Sequence, residues 1–574
     1  MYEDFGPFVD GNNVEFRLFF PTNQRRGGDP QIKQIKVRGS FAELPWDLDS
    51  APVMTSALYP TGDPKGMLYT ASVKNLPSEL YQYKFYVTFQ NGENRWCIDP
   101  CTKYGGTENN NSAFIIGEPE IEMKLFTRPI QTDLVVYELM IDDFAHHIKT
   151  PDENYFDAIQ NKIPHLASDL KLNCVEFMPW TDCGGQFNWG YMPFAYFAVE
   201  NRYGQLHHLK ELINALHDAG IALIMDGVFN HVDDACFGYH HLYQNPDESP
   251  FTGPYMGEGF GLDLDFTNDC TQEFVFDVCK YWFDSFAIDG IRFDYTLGFY
   301  DPNDDSRGLP KLIKDLKQHL QATQGQNNPA YLMLEHLSDN RYDAIDVANR
   351  VSATGCWFDM FLIRMQDYAA WWFIDQEILR ILDAGKDFAP EKEPLTYIEN
   401  HDHSTFMVKV GGRYMWWRSQ PYAIALFTTP GVPMIHNGQE FADEYWLPEH
   451  GVGRVIPRPV QWDFVTDEYG RRLLALYQKL IEWRKEYLSL RTKNFYPYYA
   501  DEWKEVVAYH RWGYNEKFVI VLNFSGNDQW VNIPFSDNGP WQELLEGRPV
   551  EVRDWMLWNQ KVNSNWGKVF YKKF

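Results

Sequence analysis

The stretch IALIMDGVFNH, residues 221–231, decides the fold: an unbroken apolar run from Ile221 to Met225 ends on an acid, Asp226, followed by Gly227. A run this short and this apolar is the pattern of a strand buried on both faces. Three further segments end the same way: IDGIRFDY (288–295) at Asp294, YLMLEHLSD (331–339) at Glu335 and YIENHDHS (397–404) at Asp402. Burying a carboxylate costs several kcal/mol unless pairing or function offsets it. A lone Asp at a strand end is ordinarily a cap or a turn former. Four acids repeating the arrangement are not explained that way, and they mark an active site.

Working outward, buried strand-like runs alternate with amphipathic helical stretches after Asp133, the signature of a parallel sheet covered by helices. Eight strand candidates follow in order: VVYELM, CVEFMPW, IALIMD, IDGIRFD, YLMLEH, GCWFDMF, TYIENHD and VPMIHN. Eight such units predict an α/β fold, a (β/α)8 TIM barrel over residues 130–485. A gap rich in Gly, Pro and aromatics predicts a small inserted subdomain over about 232–269, after the third strand. A helix is predicted after Tyr203, with Leu206, Leu209, Leu212, Ile213 and Leu216 on one face and Gly220 to end it. Another is predicted from Thr271, where Phe274, Val275, Val278, Trp282, Phe283 and Phe286 recur at helical spacing and read as core.

Short alternating runs such as VEFRLFF and YQYKFYVTF predict an N-terminal β-sandwich over residues 1–120. VVAYHRW, FVIVLNF and WVNIPF predict a C-terminal one over 490–574.

The formal net charge of −29 argues against nucleic acid or an anionic membrane as partner, since both would repel the chain. An aromatic share of 17% suits the apolar faces of sugar rings, although rings also fill cores. The eight cysteines show no zinc spacing, and Cys97 and Cys101 are expected to stay reduced. The start MYEDFGPFV lacks a basic, then apolar, leader, and no run approaches the roughly 18 apolar residues of a span. These features predict a cytoplasmic protein.

Two carboxyl groups in the right geometry suffice for glycoside cleavage, one as nucleophile and one as proton donor to the leaving oxygen. Like-charge repulsion then has to keep one of them protonated near neutral pH. Arg292 stands two residues before Asp294, on the same side of a strand, and is expected to keep that carboxylate ionised. His231 and His401 add hydrogen-bond donors.

The ordered segments DGVFNH, GIRFD, LEHLSD and ENHD, with NWGYMP and GVPMIHNGQE, resemble the α-amylase superfamily, glycoside hydrolase family thirteen, from about Asp133 to Phe464. The resemblance implies retaining cleavage of an α-glucosidic bond in a starch- or glycogen-type glucan, with the α-1,4 bond leading. An α-1,6 debranching enzyme and a glucan-branching transferase are the alternatives. By motif position it implies Asp294 as nucleophile with Arg292 as its electrostatic partner, Glu335 as general acid and base, and Asp402 as the acid that grips sugar hydroxyls. It further implies Asp226 as organiser of the floor, His231 and His401 as hydroxyl ligands, and Tyr191 as a ring stacked on the sugar. No cofactor is required by it, and a calcium ion beside Asn230 is admitted. His336 differs from the Trp usual after that glutamate in debranching enzymes and from the Asp usual in branching enzymes. The first domain resembles a family-forty-eight carbohydrate-binding module in VEFRLFFP, VRGSFAELPW and YQYKFYV, with Trp46 and Trp96 read as core ahead of sugar platforms. A binding protein that had lost the chemistry would lack one or more of the acids, and none is missing.

Overall fold

The computed structural model describes every residue except 43, 64, 184–188, 258 and 452. Its centre is a closed barrel of eight parallel strands: β1 (Val136–Leu139), β2 (Cys174–Phe177), β3 (Ala222–Gly227), β4 (Gly290–Phe293), β5 (Tyr331–Leu334), β6 (Gly355–Trp357), β7 (Glu393–Thr396) and β8 (Val432–His436). Each strand pairs with the next in sequence, and β1 with β8 closes the ring. Every residue of these strands is buried, which explains why they read as continuous apolar runs rather than alternating ones.

Two predicted strands are shorter or earlier than the sequence suggested. GCWFDMF ends as a strand at Trp357, and a helix takes over at Asp359. The seventh strand is Glu393–Thr396, so Tyr397–Asp402 is the loop beyond it. The cause is register: β6 offers only three residues, which pair with Glu393–Leu395 and leave nothing for the later residues to pair with.

The helices follow their apolar stripes. α1 (Leu206–Asp218) buries Leu206, Leu209, Leu212, Ile213 and Leu216, and the chain leaves it through Gly220 at φ +77°. α2 (Asp269–Phe286) buries Phe274, Val275, Val278, Trp282, Phe283 and Phe286. α3 (Gly308–Gln324) buries Leu309, Leu312, Ile313, Leu316 and Leu320. Each such side chain contributes roughly 1.5–3 kcal/mol by leaving water.

Antiparallel sheets flank the barrel. At the N-terminal end a four-stranded sheet faces a seven-stranded one, and the latter is completed by Thr181–Asp182 and Ala195–Val199 from the loop after β2. The sheet that begins in residues 1–120 therefore extends into the barrel's own chain. Trp46 and Trp96 do not enter the core. Strand Leu80–Phe89 alternates buried and half-buried residues, and Trp96 pairs with Tyr86 on its outer side. Trp96 meets Trp46 edge to face at 5.9 Å and stays 39% exposed. The inserted segment forms a two-stranded ribbon, His231–Val232 with Leu262–Asp263. A six-stranded and a two-stranded sheet close the C-terminal end. All eight cysteines are free. Among the described residues, no helix is long and apolar enough to cross a membrane.

Candidate active site

The carboxyl ends of β3, β4 and β5 are laced together by the backbone: the Asp294 N–H donates to the Gly227 carbonyl at 3.0 Å, and the Glu335 N–H to the Phe293 carbonyl at 3.0 Å. This staggering brings three distant acids around one side chain. Arg292, fully buried on β4, donates from Nη1 to Asp226 Oδ1 at 2.6 Å and to Asp294 Oδ1 at 2.9 Å. Its Nη2 forms an ion pair with Glu335 Oε1 at 2.8 Å. The Trp357 ring lies against the guanidinium, 4.4 Å from its carbon. The Asp294 and Glu335 carboxyls thus converge on one guanidinium.

Arg292 works to keep Asp294 ionised, against burial and two neighbouring acids. Burial, then the neighbouring Glu335 and Asp226 charges, outweigh the guanidinium and push the Asp294 carboxyl well above the carboxylate range. Burial also raises Asp226 against the pull of Arg292.

Tyr295 sets the second contact to Glu335. It sits in the left-handed region at φ +40°, unusual for a bulky residue, and its N–H donates to Glu335 Oε2 at 2.9 Å. Thr296 then donates through its hydroxyl to the Glu335 carbonyl at 2.6 Å.

His401 and Asp402 form the facing wall. His401 Nδ1 contacts Glu138 Oε1 at 2.6 Å, and the second oxygen of Glu138 lies 2.8 Å from His436 Nδ1. Burial works against a charge on His401, but Asp402 and Glu138 overrule it and raise its pKa to about 9. Asp402 keeps 31% of its side chain exposed and pairs with Arg454 at 2.7 Å. Burial opposes its charge, yet His401 and Arg454 hold its carboxyl below the usual range.

Tyr191 ties the walls together, its hydroxyl donating to Asp226 Oδ2 at 2.7 Å and lying 3.0 Å from His401 Nε2. Its ring stacks on the His401 ring at 5.3 Å. His231 Nε2 is 2.7 Å from the Tyr191 carbonyl and its Nδ1 3.2 Å from Asn230 Nδ2, which ties it to Tyr191. Of the NWGYMP motif, Asn188 lies outside the described residues. Phe260 of the inserted segment, 57% exposed, meets Tyr295 edge to face at 4.8 Å and forms the rim.

Glu138, Glu176, Trp357, His436, Arg454 and Tyr295 were not singled out from the sequence. The first two carry the very signal that revealed the others, a single acid inside an apolar strand run. Glu176 is buried and pushed well above the carboxylate range, by burial first and by Asp226 and Glu138 next, against Arg292. Asn230 Oδ1 is buried without a partner. Among the described residues no group of three or more His, Cys, Asp or Glu could hold a metal.

A barrel with paired carboxyls, a buried arginine and a carboxylate open to solvent at the strands' carboxyl ends defines a glycosidase-type enzyme. The model of the α-amylase catalytic domain matches residues 157–252 and 261–468, more than half of the chain, which therefore belongs to the α-amylase family. A pullulanase of Bacillus subtilis (strain 168) is 25% identical over 528 residues, covering 75% of this chain and 70% of its own. A 1,4-alpha-glucan branching enzyme of Leifsonia xyli subsp. xyli is 25% identical over 513 residues, covering 81% of this chain and 66% of its own. The crystal structure of a pullulanase from Anoxybacillus sp. LM18-11 with maltotriose superposes with a TM-score of 0.75 at 19% identity, covering 99% of this chain and 86% of that one.

Proposed function

We propose that the protein cleaves α-1,4-glucosidic bonds of starch- or glycogen-type glucans with retention, through a covalent glycosyl-enzyme. One observation carries this reading: Asp294 and Glu335 converge on the single buried guanidinium of Arg292. Inversion needs about 6.5–9.5 Å between the carboxyls to admit a water, whereas direct attack by one of them needs a shorter separation.

In the productive state Glu335 gives a proton to the leaving glycosidic oxygen while the Asp294 carboxylate bonds to the anomeric carbon. Arg292 and the Tyr295 N–H stabilise the Glu335 carboxylate so formed. Glu335 then takes a proton from water, whose oxygen displaces Asp294 and releases the sugar. Asp402 and protonated His401 grip sugar hydroxyls as acceptor and donor, with Asp226 and Tyr191 fixing the floor between them. The N-terminal sheets, with Trp46, Trp96 and Tyr86 together on one outer face, are proposed as a carbohydrate-binding module.

The similarity to a pullulanase and to a branching enzyme favours a second reading, in which the same groups act on α-1,6 bonds or transfer to a sugar hydroxyl. A panel of maltooligosaccharides, amylose, pullulan and glycogen tests both. New reducing ends from maltooligosaccharides and amylose support the first reading. Maltotriose from pullulan, or an altered iodine stain without new reducing ends, replaces it with the second.

A further inference from the structure

A cavity of about 450 Å3 lies at the opposite face of the barrel, lined in part by Tyr331 and Leu332 at the start of β5. Ile130 and Leu320 add apolar wall, and Gln321 and Asn327 add amides. Lys317 of α3 and Lys392 also line it.

Lys392 is only 3% exposed, yet among the described residues its Nζ donates no hydrogen bond. Its nearest carboxylate, Glu391, is 3.9 Å away and 71% exposed. Lys317 donates to the Ser352 carbonyl at 3.0 Å and, among the described residues, forms no ion pair. The other cations at this face are committed: Lys493 donates to the Ala389 carbonyl at 2.5 Å and stands 3.7 Å from Glu393, and Arg128 pairs with Asp289 at 2.9 Å. The only ion pair that Lys392 makes among the described residues is the long one to the exposed Glu391 carboxylate, and Glu391 and Glu393 line the cavity beside it. Burial, then Lys317, lowers Lys392 to about 8, against the pull of Glu391.

We infer that this cavity is a binding site for a small organic oxyanion, a phosphate or carboxylate head held by Lys317 and Lys392 with its body against Ile130, Leu320 and Leu332. The volume falls within the roughly 300–1,000 Å3 of small-molecule sites. The site is independent of the catalytic acids, which lie at the other end of the strands.

Titration calorimetry at pH 7 and constant ionic strength, with glycerol 3-phosphate, butyrate and glycerol as probes, tests the inference. Saturable one-site binding of an anionic probe, none of glycerol, and a loss of roughly tenfold or more in Lys392→Gln and in Lys317→Gln are expected, since each variant removes a charged hydrogen bond. The tighter of the two anions identifies the head group. No saturable binding of either anion, or undiminished affinity in the variants, overturns the site. Should Lys392→Gln fail to fold, Lys317→Gln at its half-buried helical position decides alone.

Discussion

Arg292 touches three carboxyls that lie 66, 2 and 43 positions away along the chain, and the behaviour of single residues follows from that convergence. Glu335→Gln keeps the shape and the Tyr295 contact but cannot give a proton. Turnover on glucans is expected to fall by about 100- to 10,000-fold with the Michaelis constant little changed; equal loss in both would contradict the role. Glu176→Gln replaces a group that burial already holds neutral, so turnover and melting temperature should stay near those of the parent. His401 responds to pH. Its folded pKa, raised to about 9, lies above its unfolded value, so the stability it contributes is complete below about pH 6.5 and is lost as pH rises through 9. Melting temperature followed from pH 6 to 10 should show that decline, and His401→Gln should flatten it. At this scale the four acids and Arg292 were legible because apolar flanks advertise them. The tie between His231 and the Tyr191 carbonyl was not legible, because motif position says nothing of which backbone carbonyl a ring nitrogen will meet.

At the scale of elements, the turn after β4 matters most. The residues from Thr296 to Phe299 form one helical turn, and Gly298 lies so close to Asn230 that an added Cβ would stand 1.6 Å from its Oδ1. Gly298→Ala should drive Asn230 from His231, cost about 1–3 kcal/mol by overpacking and lower turnover through Tyr191. Thermal melts beside kinetics check this, and an unaltered variant would refute the coupling. α1 and α2 were readable because their apolar spacing is long and regular. β6 and β7 were misplaced because a three-residue ladder is set by its neighbour's register, which no local pattern encodes.

For the whole molecule, the shared seven-stranded sheet is the feature that sequence concealed. Ala195–Val199 pairs with Tyr104 through a single register position, too little for alternation to reveal. Removing residues 1–118 would leave the edge of Ala195–Val199 unpaired and apolar, so the shortened chain should aggregate. A soluble, monodisperse and active shortened protein, by light scattering, would show the sheets to be separable. The barrel itself was legible because eight buried strands each announce themselves.

The central claim is that Asp294 attacks while Glu335 supplies the proton. Mass spectrometry of Glu335→Gln treated with α-maltosyl fluoride, whose leaving group needs no acid, tests it directly. A maltosyl adduct on the peptide that carries Asp294, absent when Asp294→Asn is added, is the predicted result; an adduct on another residue, or turnover of the fluoride with inverted product and no adduct, would contradict it.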